Sequence, residues 1–272
     1  MAMKKVCVIT GGGSGMGLAA AKFMSNEKII VLSGRTVSKL ENAVEELKEL
    51  GLTAYPFACD TSDRLSVRKL AEYAASLGQI TNVINAAGLS PAMADPQKLL
   101  RVNALGTVYV NQEFSKLMDG KSVIVDISSN SAYVLPKFLI SEKTYALAEI
   151  NEGAFLEKCI KKSNLARTDY EKAGFAYALS KNFVVWYAKK SAKEYGAKGI
   201  RVCSLSPGLI DTDMGRLEEK EGSSMLQYGA EKRMGKPEEL GYAIATVADE
   251  RNGYLAGVDI LCDGGCTTLK KF

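Results

Sequence analysis

The run Val6-Cys7-Val8-Ile9-Thr10, followed at once by Gly11-Gly12-Gly13-Ser14-Gly15-Met16-Gly17, constrains this chain more than any other stretch. An apolar, β-branched segment of strand length meets a glycine cluster, and the alanine-rich residues 18–24 continue at helical spacing, so the order reads strand, tight turn, helix. Glycines in the turn permit positive φ and let the backbone approach a ligand closely. The helix N-terminus behind them aims unpaired N–H groups and a partial positive charge at an anion. The stretch is a candidate phosphate cradle, with a plain structural turn as the alternative. Its spacing is not G-x-G-x-x-G, because Met16 stands where that pattern, begun at Gly11, needs a glycine. What fits is Thr10-Gly11-x-x-x-Gly15-x-Gly17.

The 272 residues suit one large α/β domain spanning 1–272. A composition of 47% hydrophobic and 24% charged residues is that of a globular protein. No apolar run approaches the roughly 18 residues a membrane helix needs, and no separate signal segment precedes the first strand, so a cytoplasmic protein without a membrane partner is expected. The net charge of +4 is small and dispersed, which argues against nucleic acid; Lys161-Lys162 and Lys270-Lys271 read as solvated faces. Six cysteines show no C-x-x-C and several sit in apolar strands, the pattern of buried free thiols. There is no histidine. The commonest general base and metal ligand is missing, so no metal site is expected and the chemistry falls to Tyr, Lys, Ser, carboxylates or a cofactor.

Further landmarks follow in order. Residues 28–33 form a second buried strand, ending at Gly34-Arg35, and a helix over 37–50 is stopped by Gly51. An acidic residue about 20 positions past the glycines binds a ribose 2′-hydroxyl, whereas Arg there accommodates a 2′-phosphate. Here Gly34 fills the acidic slot and Arg35 follows, which favours NADP(H) over NAD(H); the plainer reading is that Arg35 caps a surface turn. A third strand over 53–60 ends at Asp60-Thr61, and a fourth over 80–84 runs into Asn85-Ala86-Ala87-Gly88. Asn103 stands early in a helix that reaches about residue 118. The fifth strand, 122–127, ends in Ser128-Ser129. Tyr177-Ala178-Leu179-Ser180-Lys181 opens a long helix to Tyr195, with Tyr and Lys at i and i+4 on one face. A sixth strand over 200–206 leads into Pro207-Gly208-Leu209-Ile210-Asp211-Thr212, and residues 258–265 end the sheet.

These motifs, in this order from Val6 to Gly265, resemble the short-chain dehydrogenase/reductase family. The short segment before Asn103 and the long stretch between Ser129 and Tyr177 look most like its 3α-hydroxysteroid dehydrogenase/carbonyl reductase branch. The resemblance implies a Rossmann-type doubly wound parallel sheet of about seven strands with helices on both faces, plus a helical insert before the Tyr. It implies that Gly11, Gly13, Ser14, Gly15, Met16 and Gly17 cradle a dinucleotide, although Ser14 stands where many NADP-using relatives carry a basic residue. Asp60 and Thr61 would meet the adenine, and Asn85, Ala86, Ala87 and Gly88 would line the cofactor. Pro207, Gly208, Ile210 and Thr212 would hold the nicotinamide amide, and Tyr177 and Lys181 would also touch the cofactor.

By the same resemblance Tyr177 is the general acid for reduction and general base for oxidation. Ser129 is the hydroxyl that binds the substrate oxygen, with Ser128 as its alternative. Asn103 anchors a water on a proton path to Lys181, unless it is only a polar surface residue. Holding a tyrosine as phenolate near pH 7 needs roughly 4 kcal/mol. An ammonium about 4 Å away supplies on the order of 4 kcal/mol at an effective dielectric near 20, so Lys181 is about sufficient. The expected activity is reversible hydride transfer between nicotinamide and a carbonyl or secondary alcohol, such as a hydroxysteroid or another hydrophobic ketone. Alternatives are a 3-oxoacyl or sugar-alcohol reductase and a non-catalytic NADP(H)-sensing protein. An insert at about 133–172 is read as a helical hairpin covering the substrate mouth, or else decorating the outer surface; a mobile substrate lid is read at about 209–232. A homodimer or homotetramer is the assembly the family suggests.

Overall fold

The computed structural model describes residues 3–269, and the Lys270-Lys271 pair lies outside them. In chain order the strands are β1 (Lys5–Thr10), β2 (Lys28–Gly34), β3 (Thr53–Ala58), β4 (Gln79–Asn85), β5 (Ser122–Ile127), β6 (Ile200–Pro207) and β7 (Asp259–Cys262). The helices of the first half are α1 (Gly15–Lys22), α2 (Val37–Glu49), α3 (Arg64–Leu77), α4 (Pro96–Leu99) and α5 (Gly106–Phe114). Those of the second half are α6 (Glu142–Ile150), α7 (Glu152–Ser163), α8 (Asp169–Tyr195), α9 (Asp213–Leu217), α10 (Glu219–Leu226), α11 (Pro237–Val247) and α12 (Cys266–Leu269). Among the described residues no helix is long and apolar enough to cross a membrane.

All seven strands pair in parallel in the order β3-β2-β1-β4-β5-β6-β7, the doubly wound sheet expected from the sequence. Side chains alternate across it. Val6 and Val8 of β1 enter a core shared with α3, α5 and α8, while Cys7 and Ile9 enter a second core with α1, α2 and α11. Strands covered on both faces read as continuous apolar runs, which makes β1, β2 and β5 legible. The strand order reverses beside β1, because the chain leaves β3 at one edge and returns as β4 on the far side of β1. A doubly wound sheet opens a crevice outside the carboxyl ends of its strands at such a point.

Two elements differ from expectation. Helix α8 begins at Asp169 rather than Tyr177: the Thr168 hydroxyl accepts from the Glu171 N–H at 3.2 Å, and the Glu171 carboxylate accepts from the Thr168 N–H at 2.9 Å. That reciprocal pair starts the helix and sets Tyr177 about two turns inside it. The inserted hairpin, α6 and α7, lies on the flank of α5 and α8, and none of its described residues lines the cleft at the end of the sheet. Tyr145 and Phe155 from the hairpin are buried with Phe183 and Tyr187 of α8, and Tyr145 meets Phe183 edge to face at 5.3 Å. Polar ties run beside that contact, with Glu152 accepting from the Tyr109 hydroxyl at 2.7 Å and Glu149 from the Tyr187 hydroxyl at 3.0 Å. The apolar stripe of the hairpin finds its partner in the aromatic flank of α8, which favours the outer-surface alternative. Asn151 breaks the two helices and caps α7, its side chain accepting from the Ala154 N–H at 3.0 Å.

Candidate active site

The crevice at the reversal point is a cleft of about 510 Å³, a size suited to a small ligand or cofactor. Gly11, at φ +65°, lets the first turn touch the segment after β4: a Cβ there would lie 2.8 Å from the Ala86 carbonyl oxygen. At Gly17 a Cβ would lie 2.4 Å from the Gly11 carbonyl oxygen, so α1 can start only on glycine. Ser14 occupies the N-cap of α1 without a side-chain cap bond, which leaves the first N–H groups of that helix to the cleft. The residues present fit a dinucleotide, with a close-packed glycine turn and an uncapped helix start for the pyrophosphate.

Of the residues singled out in the sequence, Gly11, Gly13, Ser14, Gly15, Met16, Gly17, Arg35, Asp60, Thr61, Ala86, Ala87, Gly88, Tyr177, Lys181 and Thr212 all line this cleft. Ser128 lines it as well, whereas Ser129 and Asn103 do not, and four of the expected cofactor contacts stand behind its wall. Asn85 spends its side chain inside the protein, accepting from the Thr10 hydroxyl at 2.8 Å and donating to Asp126 at 3.0 Å. Pro207 pairs with Cys262 at the end of the sheet, Gly208 lies against Asp263, and Ile210 is buried in the core with Leu240. Thr212 does face the cleft, but its hydroxyl accepts from the Gly215 N–H at 3.0 Å as the N-cap of α9. The Asp60 carboxylate is likewise engaged, accepting from the N–H and O–H of Ser62 at 2.9 and 2.7 Å.

The catalytic candidates converge from three elements. Helix α8 presents Tyr177 and Lys181 one turn apart, and the Lys181 ammonium lies 5.7 Å from the centre of the Tyr177 ring. That ammonium is buried, 6% exposed, and donates to the Ile127 carbonyl oxygen at 2.9 Å. Ser129 follows β5 and caps a 3-10 turn, its hydroxyl accepting from the Ser131 N–H at 3.1 Å. Ser128, the alternative, is committed elsewhere: its hydroxyl donates to the Lys181 carbonyl oxygen at 2.7 Å. Asn103 is buried within a π-helical segment, Leu100–Leu105. Its amide brackets one backbone unit, accepting from the Leu89 N–H and donating to the Leu89 carbonyl, both at 2.9 Å. Gly88 sits between Asn103 and Lys181, since a Cβ there would lie 3.3 Å from Asn103 Oδ1 and 3.5 Å from Lys181 Nζ.

The electrostatics differ from the sequence arithmetic. Burial pushes the Tyr177 phenol above its ordinary value, and the nearby charge of Glu218 adds to this, while the Ser129 and Ser131 hydroxyls act in the opposite sense. Lys181 is pulled down to about 8 by burial, against the opposing charge of Asp126. An ammonium that is itself costly to keep charged, and tied to a carbonyl, does not offset the phenol's desolvation in the protein alone.

Several residues at the site were not marked by sequence reasoning. Lys39, in the first turn of α2, lines the cleft together with Arg35. Leu89, Met93, Val102 and Met214 give it an apolar wall. Ser131 joins Ser129 beside Tyr177 through a turn that no motif announces. Glu218, between α9 and α10 in the expected lid, accepts from the Ala92 N–H at 2.8 Å and the Tyr170 hydroxyl at 2.7 Å, and only the tertiary fold brings these together.

Two family models match the chain: one described as short chain dehydrogenase over residues 5–140, the other as enoyl-(acyl carrier protein) reductase over residues 150–267. The chain is 28% identical over 268 residues to the short-chain dehydrogenase/reductase bsc3 of Alternaria brassicicola, covering 97% of this chain and 96% of that protein. It is 27% identical over 273 residues to a 3alpha-hydroxysteroid dehydrogenase of Mediterraneibacter gnavus, covering 97% of each. Among solved structures, a short chain dehydrogenase from Burkholderia cenocepacia in complex with NADP shares the fold, with a TM-score of 0.78 at 21% identity over 97% of this chain and 98% of that one.

Proposed function

The chain belongs to the short-chain dehydrogenase family, and from that premise we propose that it interconverts a hydrophobic ketone and its secondary alcohol, with NADP(H) as the preferred dinucleotide. Membership makes it an oxidoreductase that works with a nicotinamide cofactor; the substrate, the preference for NADP(H) and the residue roles are our reading. When bound, the nicotinamide supplies or accepts the hydride at the carbonyl carbon. The Tyr177 hydroxyl gives a proton to the substrate oxygen in reduction and takes it back in oxidation. The Ser129 hydroxyl donates a hydrogen bond to the same oxygen as charge develops on it. Lys181 places a positive charge against the Tyr177 ring face, and Asn103 fixes the Leu89 backbone opposite Lys181, where a relay water to Lys181 is held. Leu89, Met93, Val102 and Met214 take the apolar body of the substrate and keep water out, which suits a steroid ring ketone better than a sugar.

The observation that carries this reading is that Tyr177 and Lys181 line the same cleft as the glycine turn. NADPH consumption over a panel of steroid, quinone, acyl and sugar ketones tests it. Replacing Tyr177 by Phe is expected to lower kcat on the best substrate by about 10²- to 10⁴-fold while leaving dinucleotide binding in place. Near wild-type turnover by Tyr177→Phe would remove the assignment. Faster turnover of sugar or acyl ketones than of steroids would overturn the substrate class alone.

A further inference from the structure

Asp126 is a carboxylate that the reading above does not use. It stands on β5 three residues before Ser129 and is 0% exposed. Its two oxygens are held by neutral donors: Asn85 Nδ2 of β4 reaches one at 3.0 Å, and Asn111 Nδ2 of α5 reaches both at 3.0 Å. The next peptide along the same strand carries the Lys181 ammonium, bonded to the Ile127 carbonyl oxygen. A buried acid and a buried ammonium are thus docked on adjacent residues of one strand, on the face that α5 and α8 cover. Buried charges persist only when paired or well hydrogen-bonded, so each has a physical need of the other.

We propose that Asp126 is a positioning residue for the reaction: the buried counter-charge that keeps Lys181 an ammonium and, through it, sets the pH at which Tyr177 exchanges its proton. The proposal rests on the oxidoreductase reading of the site.

The charged and titratable groups around the pair are few. Facing Asp126 are Lys181 from α8 and the Cys203 thiol of β6, whose ionisation Asp126 opposes. From β4 and α5 come only the neutral Asn85, Thr107 and Asn111. Lys181 faces Tyr177 on its own helix and Asp126 across the strand, and Tyr177 faces Glu218 from the lid segment. Burial raises the Asp126 carboxyl to about 7, against the pull of Asn85, Asn111 and Lys181. Burial lowers Lys181, and the charge of Asp126 opposes this, leaving it at about 8. Removing the carboxylate charge lets Lys181 lose its proton at lower pH, and a neutral amine stabilises the Tyr177 phenolate less.

The test is the pH profile of alcohol oxidation in Asp126→Asn, a direction in which Tyr177 must first be deprotonated. The acid limb is expected to move up by about one pH unit, a tenfold loss on that limb, with recovery toward the parent rate at high pH. A loss by the same factor at every pH, or no loss, would overturn the proposal, because a merely structural carboxylate moves the rate and not the limb. Melting temperatures give a readout that needs no turnover. A carboxyl held near 7 in the folded chain and near 4 in the unfolded one binds more protons when folded, so its contribution to stability falls as pH rises between those values. Asp126→Asn should therefore gain on the parent from pH 5 to pH 8, and in a Lys181→Met background the window of that gain should move to higher pH; a window that stays in place would overturn the counter-charge. If that variant does not fold, Asn111→Ala keeps the carboxyl but strips two of its hydrogen bonds, and the same shift of the acid limb is required of it. A parent that turns over no ketone or alcohol overturns the reading of the site, and the melting curves then decide the counter-charge separately.

Discussion

Arg35 and Lys39 are exposed where β2 passes into α2, and among the described residues neither forms an ion pair. Two unpaired cations at the edge of the cleft support the proposed preference for NADP(H), since Arg offers the forked donor geometry that a phosphate monoester takes. Arg35→Asp is expected to weaken NADPH binding at least tenfold, about 1.4 kcal/mol, with little change for NADH. Titrations of the two dinucleotides check this, and equal losses on both would remove the preference for NADP(H). Arg35 is legible in the sequence because it stands at a strand tip of fixed position relative to the glycines. Lys39 becomes meaningful only when the first turn of α2 is folded beside the cradle, where its Cβ would lie 3.3 Å from a Cβ placed on Gly13. The state of Tyr177 is less legible still. Residue types and spacing identify a phenol and an ammonium, but the desolvation that holds the phenol high and pulls the ammonium down depends on what buries them.

At the scale of elements, α8 sets the accuracy of the site. Tyr177 belongs to the interior of a 27-residue helix whose start is fixed by Thr168 and Glu171 and whose flank is packed against α7. The T-x-x-E signature of that start stands in the sequence, and the helical pattern taken from Tyr177 onward passes over it. Thr168→Ala removes one of the two reciprocal bonds and is expected to cost about 1 kcal/mol in urea unfolding. Turnover should be unaffected, since about two turns separate the cap from Tyr177; a fall in kcat would mean that fraying reaches the site. Other element-level features leave no trace in apolar periodicity. The widened turn Leu100–Leu105 reads as ordinary helix, yet it is the segment in which Asn103 turns its amide onto Leu89. The stretch 209–232 reads as charged and glycine-dotted, and its tie through Glu218 joins residues far apart in the chain.

For the whole molecule, strands and their order follow from buried apolar runs and from motifs placed in sequence, whereas the position of the insert does not. Helical spacing in residues 143–162 predicts helices with an apolar face but says nothing of what that face meets, and two partners were open: the mouth of the cleft or a flank. The flank offers Phe183, with Trp186 and Tyr187 one turn further along α8, and the hairpin answers with Tyr145 and Phe155, making one aromatic cluster with ring centres 5.3–5.8 Å apart across most pairs. That cluster extends the core beneath α5 and α8 outward, so the insert is a structural layer packed against α8. Two substitutions separate this role from a role at the mouth. Phe155, 0% exposed, should cost about 3–5 kcal/mol on replacement by Ala, because ring burial is lost and a cavity is left. Ile150, 80% exposed at the end of α6, should cost almost nothing. If the hairpin served the mouth, Ile150→Ala or Phe155→Ala would raise KM for a bulky ketone at temperatures where both variants are folded. The flank position requires instead that stability fall for Phe155→Ala with KM unchanged in both, and urea unfolding beside steady-state kinetics distinguishes the two outcomes.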